Sequence, residues 1–510
     1  MVGSRERASR SQQWREMMHT QGGIRTMASA RKLSVFTVLL RLLFLFHVML
    51  FASKSAWAQE PRLPALTPLA VADTQSVRTQ QALEKAAASG DYTLALKPAQ
   101  ELARHLSADR QWAPVALTNL ALVQLHVGDR DSAMTNLQMA VAQLKQGGNF
   151  RDPRLTSPLY ALGISYYQIE QYPLAIEYIE QANFIVRTDR GLESLEQTAY
   201  DEQLLESLLK TGRLDGATDR LESSLNIHRQ ALKGGPELEQ ALASAARWYR
   251  RLDAPYQESL LHEERLDIMV AEHGDEHPDL VPIYYDLAGS YSRRMRRDLD
   301  KLRDIKAAER NVSYSFVRTD QVRRAIRNDF GESPDNRSLL DSEWKAVRAL
   351  KIALRIQEEQ SPSDKAAIGE SYTRLGDHYQ LLGDSRKARR YYQRAYALLQ
   401  EAGAEQRLAD TFGRPVPLYR KPMKLPPTSD PELLRAYRGE VELVMDVNSR
   451  GQPRNVEFLE ARPEQAEELK VKAIRNSKDT IFRPKFSDKG TEKTEQVKFI
   501  YRFQPSPEAP

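Results

Sequence analysis

The chain has no cysteine among its 510 residues. That absence excludes disulfides, thiolate metal sites, cysteine nucleophiles and a lipid-modified N-terminal cysteine. Also missing are a phosphate-binding G-x-x-x-x-G-K-[ST] loop, G-x-G-x-x-G, G-x-S-x-G and H-E-x-x-H. No sequence support therefore exists for phosphate-loop, dinucleotide, serine-hydrolase or zinc-peptidase chemistry. Neither a cofactor nor a metal is expected. The most metal-like grouping is His273 and His277 with Asp275, Glu276 and Asp279, but Pro278 and Asp279 suit a helix start better than a ligand set.

Strong net charge is lacking too. The formal value is +5, yet residues 1–58 hold nine of the 74 Lys/Arg and two of the 69 Asp/Glu. What remains, 65 basic and 67 acidic residues, carries −2. A body so near neutrality gives no argument for nucleic-acid binding.

Long apolar runs are scarce, and the longest reads as a leader. Arg25, Arg31 and Lys32 precede an apolar stretch from Leu33 to Ala52, interrupted by Arg41. Leu42 to Ala52 is the length of a secretion-signal core and short for a membrane span. Ser55-Ala56-Trp57-Ala58 supplies small residues where a signal peptidase reads, so cleavage is expected before Gln59. Residues 1–26 add nothing a signal needs, and Met27 is a more usual start. The alternative is a retained anchor, with Arg41 costing a few kcal/mol in the span. Contact with a membrane is expected only in that case.

What the chain has in abundance is self-similarity. Leu120, Leu162 and Leu204 stand 42 residues apart, each followed by a small or apolar residue, and Leu287 and Leu375 head further copies. The clearest copy reads Leu375, Gly376, Tyr379, Gly383, Ala388, Tyr392, Ala395. Others read Leu162, Gly163, Tyr166, Ala175, Ile179, Ala182; then Leu120, Ala121, Gln124, Gly128, Ala133, Leu137, Ala140; then Leu204, Leu205, Leu208, Gly212, Ala217, Leu221, Ser224. Degenerate copies are expected around Ala246 to Leu266 and around Ala82, with Gly90-Asp91-Tyr92 at a turn. Small residues let two helix axes approach, larger ones fill the groove between them, and neighbouring hairpins stack into a solenoid. The pattern resembles the tetratricopeptide family over roughly residues 78–403, its 34-residue consensus stretched to about 42 as in the kinesin-light-chain type. The resemblance implies that peptide contacts come from the inner face of each first helix. By alignment that face includes Tyr160 and Tyr167 in one repeat and Thr373, Asp377 and Gln380 in another. From Arg293 to about Ser342 the phase breaks. The twelve Lys/Arg and five Asp/Glu of residues 293–327 read as a solvated helix, or as an anionic docking patch, with a loop around Phe330 to Arg337.

Gly413 to Pro431 carries six prolines and is expected to be an extended linker. Beyond it the period becomes two. Val441, Leu443, Met445 and Val447 alternate with polar residues, Asn448 to Gly451 reads as a turn, and Arg454 to Leu459 as the returning strand. Pro463 opens a helix to about Arg475, and Val497, Phe499, Tyr501 and Phe503 alternate in a final strand. The order ββαβ predicts a small three-stranded antiparallel sheet with one helix on it. Gly439-Glu440-Val441, Asp446-Val447, Gly451, Asn455-Val456, Ala461-Arg462-Pro463 and Phe482-Arg483-Pro484 resemble the TonB C-terminal domain over residues 436–504. That family's Gln-Tyr-Pro is absent, and Asp479-Thr480-Ile481 replaces its Trp-bearing stretch. The resemblance implies strand addition to the edge of the last strand, at Lys498, Ile500 and Arg502.

The expected molecule is mainly α: a tetratricopeptide-type solenoid followed by a small α+β module. The expected function is a non-enzymatic periplasmic scaffold of a Gram-negative envelope. Its partners would be other envelope proteins or extended peptide segments. The alternative is a TonB-like energy transducer for outer-membrane transport, held in the inner membrane by an uncleaved leader.

Overall fold

The computed structural model describes residues 63–70, 73–146, 148–310, 334–360, 363–421, 439–464 and 469–503. The chain divides into two compact units, residues 1–63 and 64–510, and the second is described below. The expected leader, residues 1–58, lies outside the described residues.

Among the described residues the first part is a run of helix pairs. They are α1 (Thr74–Ala88) with α2 (Tyr92–His105), α3 (Ala113–Val127) with α4 (Arg130–Lys145), α5 (Thr156–Gln168) with α6 (Tyr172–Arg190), and α7 (Asp201–Thr211) with α8 (Leu214–Leu232). There follow α9 (Gly235–Arg251) with α10 (Pro255–His273), α11 (Leu280–Arg310) with α12 (Pro334–Glu359), α13 (Lys365–Leu381) with α14 (Ser385–Glu401), and a short α15 (Glu405–Phe412). The turns explain the pairing. Gly383 ends α13 with a left-handed φ of 77°, which costs a glycine nothing, and Asp384 then caps α14 by accepting from the Lys387 N–H at 3.1 Å. Asp129 caps α4 in the same way.

The repeat's signature residues form the core. Leu162, Ala175, Ile179 and Ala182 are buried, as are Leu375, Ala388, Tyr392 and Ala395. A Cβ on Gly376 would collide with the Tyr392 ring, so the small residue is what admits the aromatic between the two helices.

The C-terminal part contains β1 (Val416–Tyr419), β2 (Gly439–Val447), β3 (Pro453–Arg462), α16 (Lys470–Ser477), β4 (Ile481–Arg483), β5 (Lys485–Ser487), β6 (Gly490–Glu492) and β7 (Thr494–Phe503). The main sheet is antiparallel in the order β3-β2-β7, with Val441 opposite Tyr501 and Leu443 opposite Phe499. Those four side chains pack with Met445, Val447, Leu469, Ala473 and Phe482 in one cluster. Two small ladders, β1 with β4 and β5 with β6, join the sheet to the last helices.

Four expectations need correction. The Pro-rich stretch is not simply a linker: Val416–Tyr419 pairs with β4, because an extended proline-rich segment is already in strand conformation. Residues 422–438 lie outside the described residues. The helix expected from Pro463 is described from Lys470, with 465–468 outside the described residues. The basic stretch is not a fully wet face. Met295 and Leu299 are core residues, Arg296 is 2% exposed and pairs with Asp300 at 3.0 Å, and Arg293 pairs with Glu258 at 2.6 Å. Arg293 and Arg296 are therefore already engaged within the fold. Residues 334–337, read as loop, open α12, and 311–333 lie outside the described residues.

Candidate functional site

In the solenoid the first helices of successive pairs share one wall. Tyr167 on α5 is half-buried, and its ring meets Tyr172 edge-on with centroids 5.4 Å apart. Burial, reinforced by the Glu206 carboxylate on α7, pushes its phenol up to about 12. Glu206 in turn takes a two-pronged contact from Arg251 on α9, one arm of it 2.8 Å long. The Arg251 guanidinium also lies over the Trp248 ring, 4.4 Å from its centroid. Three consecutive first helices thus contribute an aromatic, an acid and a base to one surface. Tyr160, expected on that surface, is a core residue: it is 7% exposed and packs edge-on against Tyr200 at 4.7 Å. The sequence reading missed Glu206, which stands between the signature residues Leu205 and Leu208, and Arg251, at the end of the first helix of the degenerate copy.

Behind this wall sits a buried charge knot. Glu258 on α10 is fully buried and holds Arg250 of α9 at 2.7 Å and Arg293 of α11 at 2.6 Å, with His262 Nε2 at 3.6 Å. Burial alone would raise its carboxyl, but His262, Arg293 and Arg250 overcome that and hold it at about 2. The knot ties three helices where the repeat signature is most degenerate.

At the far end, the expected groove residues of α13 are occupied by the chain itself. Gln380 Nε2 donates to the Arg450 carbonyl at 2.6 Å and to the Phe482 carbonyl at 3.0 Å. Asp377 accepts from Arg483 at 2.8 and 2.7 Å and from the Tyr392 hydroxyl at 2.9 Å. Arg483 also donates to the Thr411 carbonyl at 2.9 Å. Thr373 is 4% exposed and spends its hydroxyl on the Gly369 carbonyl, so it reaches no partner segment. Gly451 makes the fit possible. Its φ is +73°, and a Cβ there would collide with the Phe482 carbonyl. Tyr419 adds a second clamp, its hydroxyl on Asp300 and its ring under Arg296 at 4.5 Å.

The strand β7 is an edge of the main sheet. Lys498 and Arg502 point to its outer face, where they pair with Glu442 at 3.1 Å and Glu440 at 3.3 Å, and Ile500 stands between them, 36% exposed. Their side chains therefore flank the edge, and only backbone could be offered along it. Part of that backbone is covered: Arg420 donates to the Ile500 carbonyl at 3.2 Å and lies over Phe499 at 4.7 Å.

A cavity of about 340 Å³ opens between α11, α12 and α13, lined by Pro278, Val281, Tyr285, Ile356, Gln357 and Ala367 among others. Tyr285 and Ser371 both donate to Gln357 Oε1, at 3.2 and 2.6 Å, which fixes the amide at its wall. His273 and His277 stack on each other at 4.7 Å. No metal-binding group is found among the described residues.

Residues 369–398, the hairpin of α13 and α14, match the family model for the tetratricopeptide repeat. The chain therefore carries a tetratricopeptide repeat within a solenoid of helical hairpins. Among solved structures it is similar to the TPR-like repeats of a Podosopora anserina protein described as a kinesin light chain. The two share 17% identity at a TM-score of 0.35, over 40% of this chain and 99% of that one. It is also similar to a thermophilic TPR protein of Thermus thermophilus, at 18% identity and a TM-score of 0.27 over 38% and 91% of the two chains. A third likeness is to BtubC from P. vanneervenii, at 17% identity and a TM-score of 0.23 over 63% and 92%. At these values nothing about partners transfers. No curated protein matches the chain.

Proposed function

We propose that the chain is a non-enzymatic protein-interaction scaffold whose wall of first helices takes an extended segment of a partner. The carrying observation is that α13 already does this in cis: Gln380 and Asp377, both on the first helix of their hairpin, hold the Arg450 and Phe482 carbonyls and the Arg483 guanidinium. The stretch that remains open lies over α5, α7 and α9, where Tyr167, Glu206 and Arg251 line the wall. Such a surface suits a partner segment carrying both charges around an aromatic or proline.

The finer reading is a periplasmic adaptor of the Gram-negative envelope. It rests on the leader at residues 1–58 and on the TonB-like motifs of the C-terminal module. Strand addition at β7 would engage a second partner once Arg420 leaves the Ile500 carbonyl. A crosslinking pull-down from envelope fractions, comparing the full chain with Tyr167→Ala, should lose the groove partner and keep any strand-addition partner. Unchanged capture would remove the groove reading. Fractionation tests location: a soluble form beginning at Gln59 supports the adaptor, and a carbonate-resistant full-length form would favour the transducer.

A further inference from the structure

The helix α3 has almost no polar face. Eleven of its fifteen residues are buried, among them Thr118, Asn119 and Gln124. A helix apolar all round must be covered on every side. Its hairpin partner and neighbours cover part of it. A further part is covered by an extended stretch ahead of the first hairpin, residues 64–70, sequence PALTPLA.

That stretch is held as a bound peptide would be. The Asn119 amide reads both backbone groups of Thr67: its Oδ1 accepts from the Thr67 N–H at 2.9 Å and its Nδ2 donates to the Thr67 carbonyl at 2.8 Å. Asn119 is 3% exposed, so on its side both bonds are made from a buried amide, while Thr67 faces outward. Leu69 is 6% exposed within a cluster that includes Leu83, Leu102, Val115, Leu120 and Val123, and Leu66 packs against its edge. A side-chain amide that closes both backbone bonds of one residue selects extended backbone whatever the side chain. Two leucines three apart, one on either side of Thr67, then supply sequence preference.

We propose that α1, α2 and α3 form a peptide-binding site for an extended segment with leucines three apart. Residues 64–70 are its resident intramolecular ligand, and a partner bearing the same pattern binds by displacing them. The site is separate from the wall over α5, α7 and α9, so the two readings fail independently.

The probe is a labelled synthetic peptide of residues 61–72. In the full chain carrying Leu66→Asp and Leu69→Asp, the resident segment is released, and the peptide should bind at least about tenfold more tightly than to the unmodified chain. Adding Asn119→Ala should weaken that binding by about tenfold, because two hydrogen bonds to the peptide backbone are lost. Absent binding to the released variant, with its helical circular dichroism intact, overturns the proposal; so does indifference to Asn119→Ala. Should the released variant unfold, hydrogen exchange on the unmodified chain decides. Excess peptide should strip protection from the Thr67 amide while α3 stays protected. A Thr67 amide as protected as α3, and unmoved by saturating peptide, would make the segment a fixed part of the core and overturn the proposal.

Discussion

Asp377→Ala is the most informative single change, because Asp377 is where the C-terminal module is fastened to the last hairpin. The side chains of Arg483 and Asp377 are 12% and 19% exposed, so the pair is largely removed from water. An exposed pair would contribute about 0–1 kcal/mol, whereas removing one partner of a buried pair costs about 3–5 kcal/mol. Asp377→Ala leaves the Arg483 guanidinium with the Thr411 carbonyl and takes the acceptor from the buried Tyr392 hydroxyl. We expect the lower end of that range, about 3 kcal/mol. Arg483→Ala leaves Asp377 with its Tyr392 donor and should cost less, about 2 kcal/mol. The double change Asp377→Leu with Arg483→Leu should recover much of the loss, since neither charge is then stranded. Global unfolding of so long a repeat-containing chain is not two-state. The readout is therefore native-state hydrogen exchange at the Phe482 amide, which donates to the Gly451 carbonyl at 2.9 Å within the module, beside the Arg450 and Phe482 carbonyls that Gln380 holds. Single variants that each shift its opening by less than about 1 kcal/mol, or that add without coupling, would refute a buried anchor.

Acid should loosen the knot around Glu258. Its carboxyl is held at about 2 against a usual 4.5, so it contributes stability above pH 4.5 that is lost as pH falls toward 2. The shift corresponds to about 3 kcal/mol, and Glu258→Gln should remove that acid-dependent part from a thermal-melt series. Gly376→Ala should overpack the fully buried Tyr392 ring and lower stability by about 1–3 kcal/mol, seen in the melting temperature. Arg420→Ala should uncover the Ile500 carbonyl on β7 and raise concentration-dependent self-association, read by sedimentation. An unchanged sedimentation profile would mean that Arg420 does not guard the edge.

The helix pairs were legible because their signals are local. A Gly-Asp turn, a small residue one position after a leucine and an alanine on the second helix each act within a few residues, and Gly376 against Tyr392 shows the packing they encode. The alternation of Val441, Leu443, Met445 and Val447 marked β2 for the same reason. Distant contacts were not legible. Arg296 sits in a run of arginines that reads as solvated, yet Tyr419 lies beneath it, more than a hundred residues along the chain. The prolines around Val416 announce extension but not that β4 is waiting to pair with it. Asp377 and Gln380 read as partner-binding positions, and they do hold a segment, Gln380 by two backbone carbonyls and Asp377 by the Arg483 side chain, but the segment belongs to the same chain. Tyr160 was assigned beside Tyr167 by register alone, and the irregular stretch after α6 brings Tyr200 down onto it.

The wall over α5, α7 and α9 is where a partner segment should lie. A photo-crosslinking residue placed at Tyr167, at Glu206, or at the exposed Glu177 of the second helix α6 tests it in living cells. Tyr167 and Glu206 should capture the same partner, and Glu177 should capture none. Equal capture from Glu177, or none from Tyr167 and Glu206 in a chain that still pulls the partner down, would contradict it.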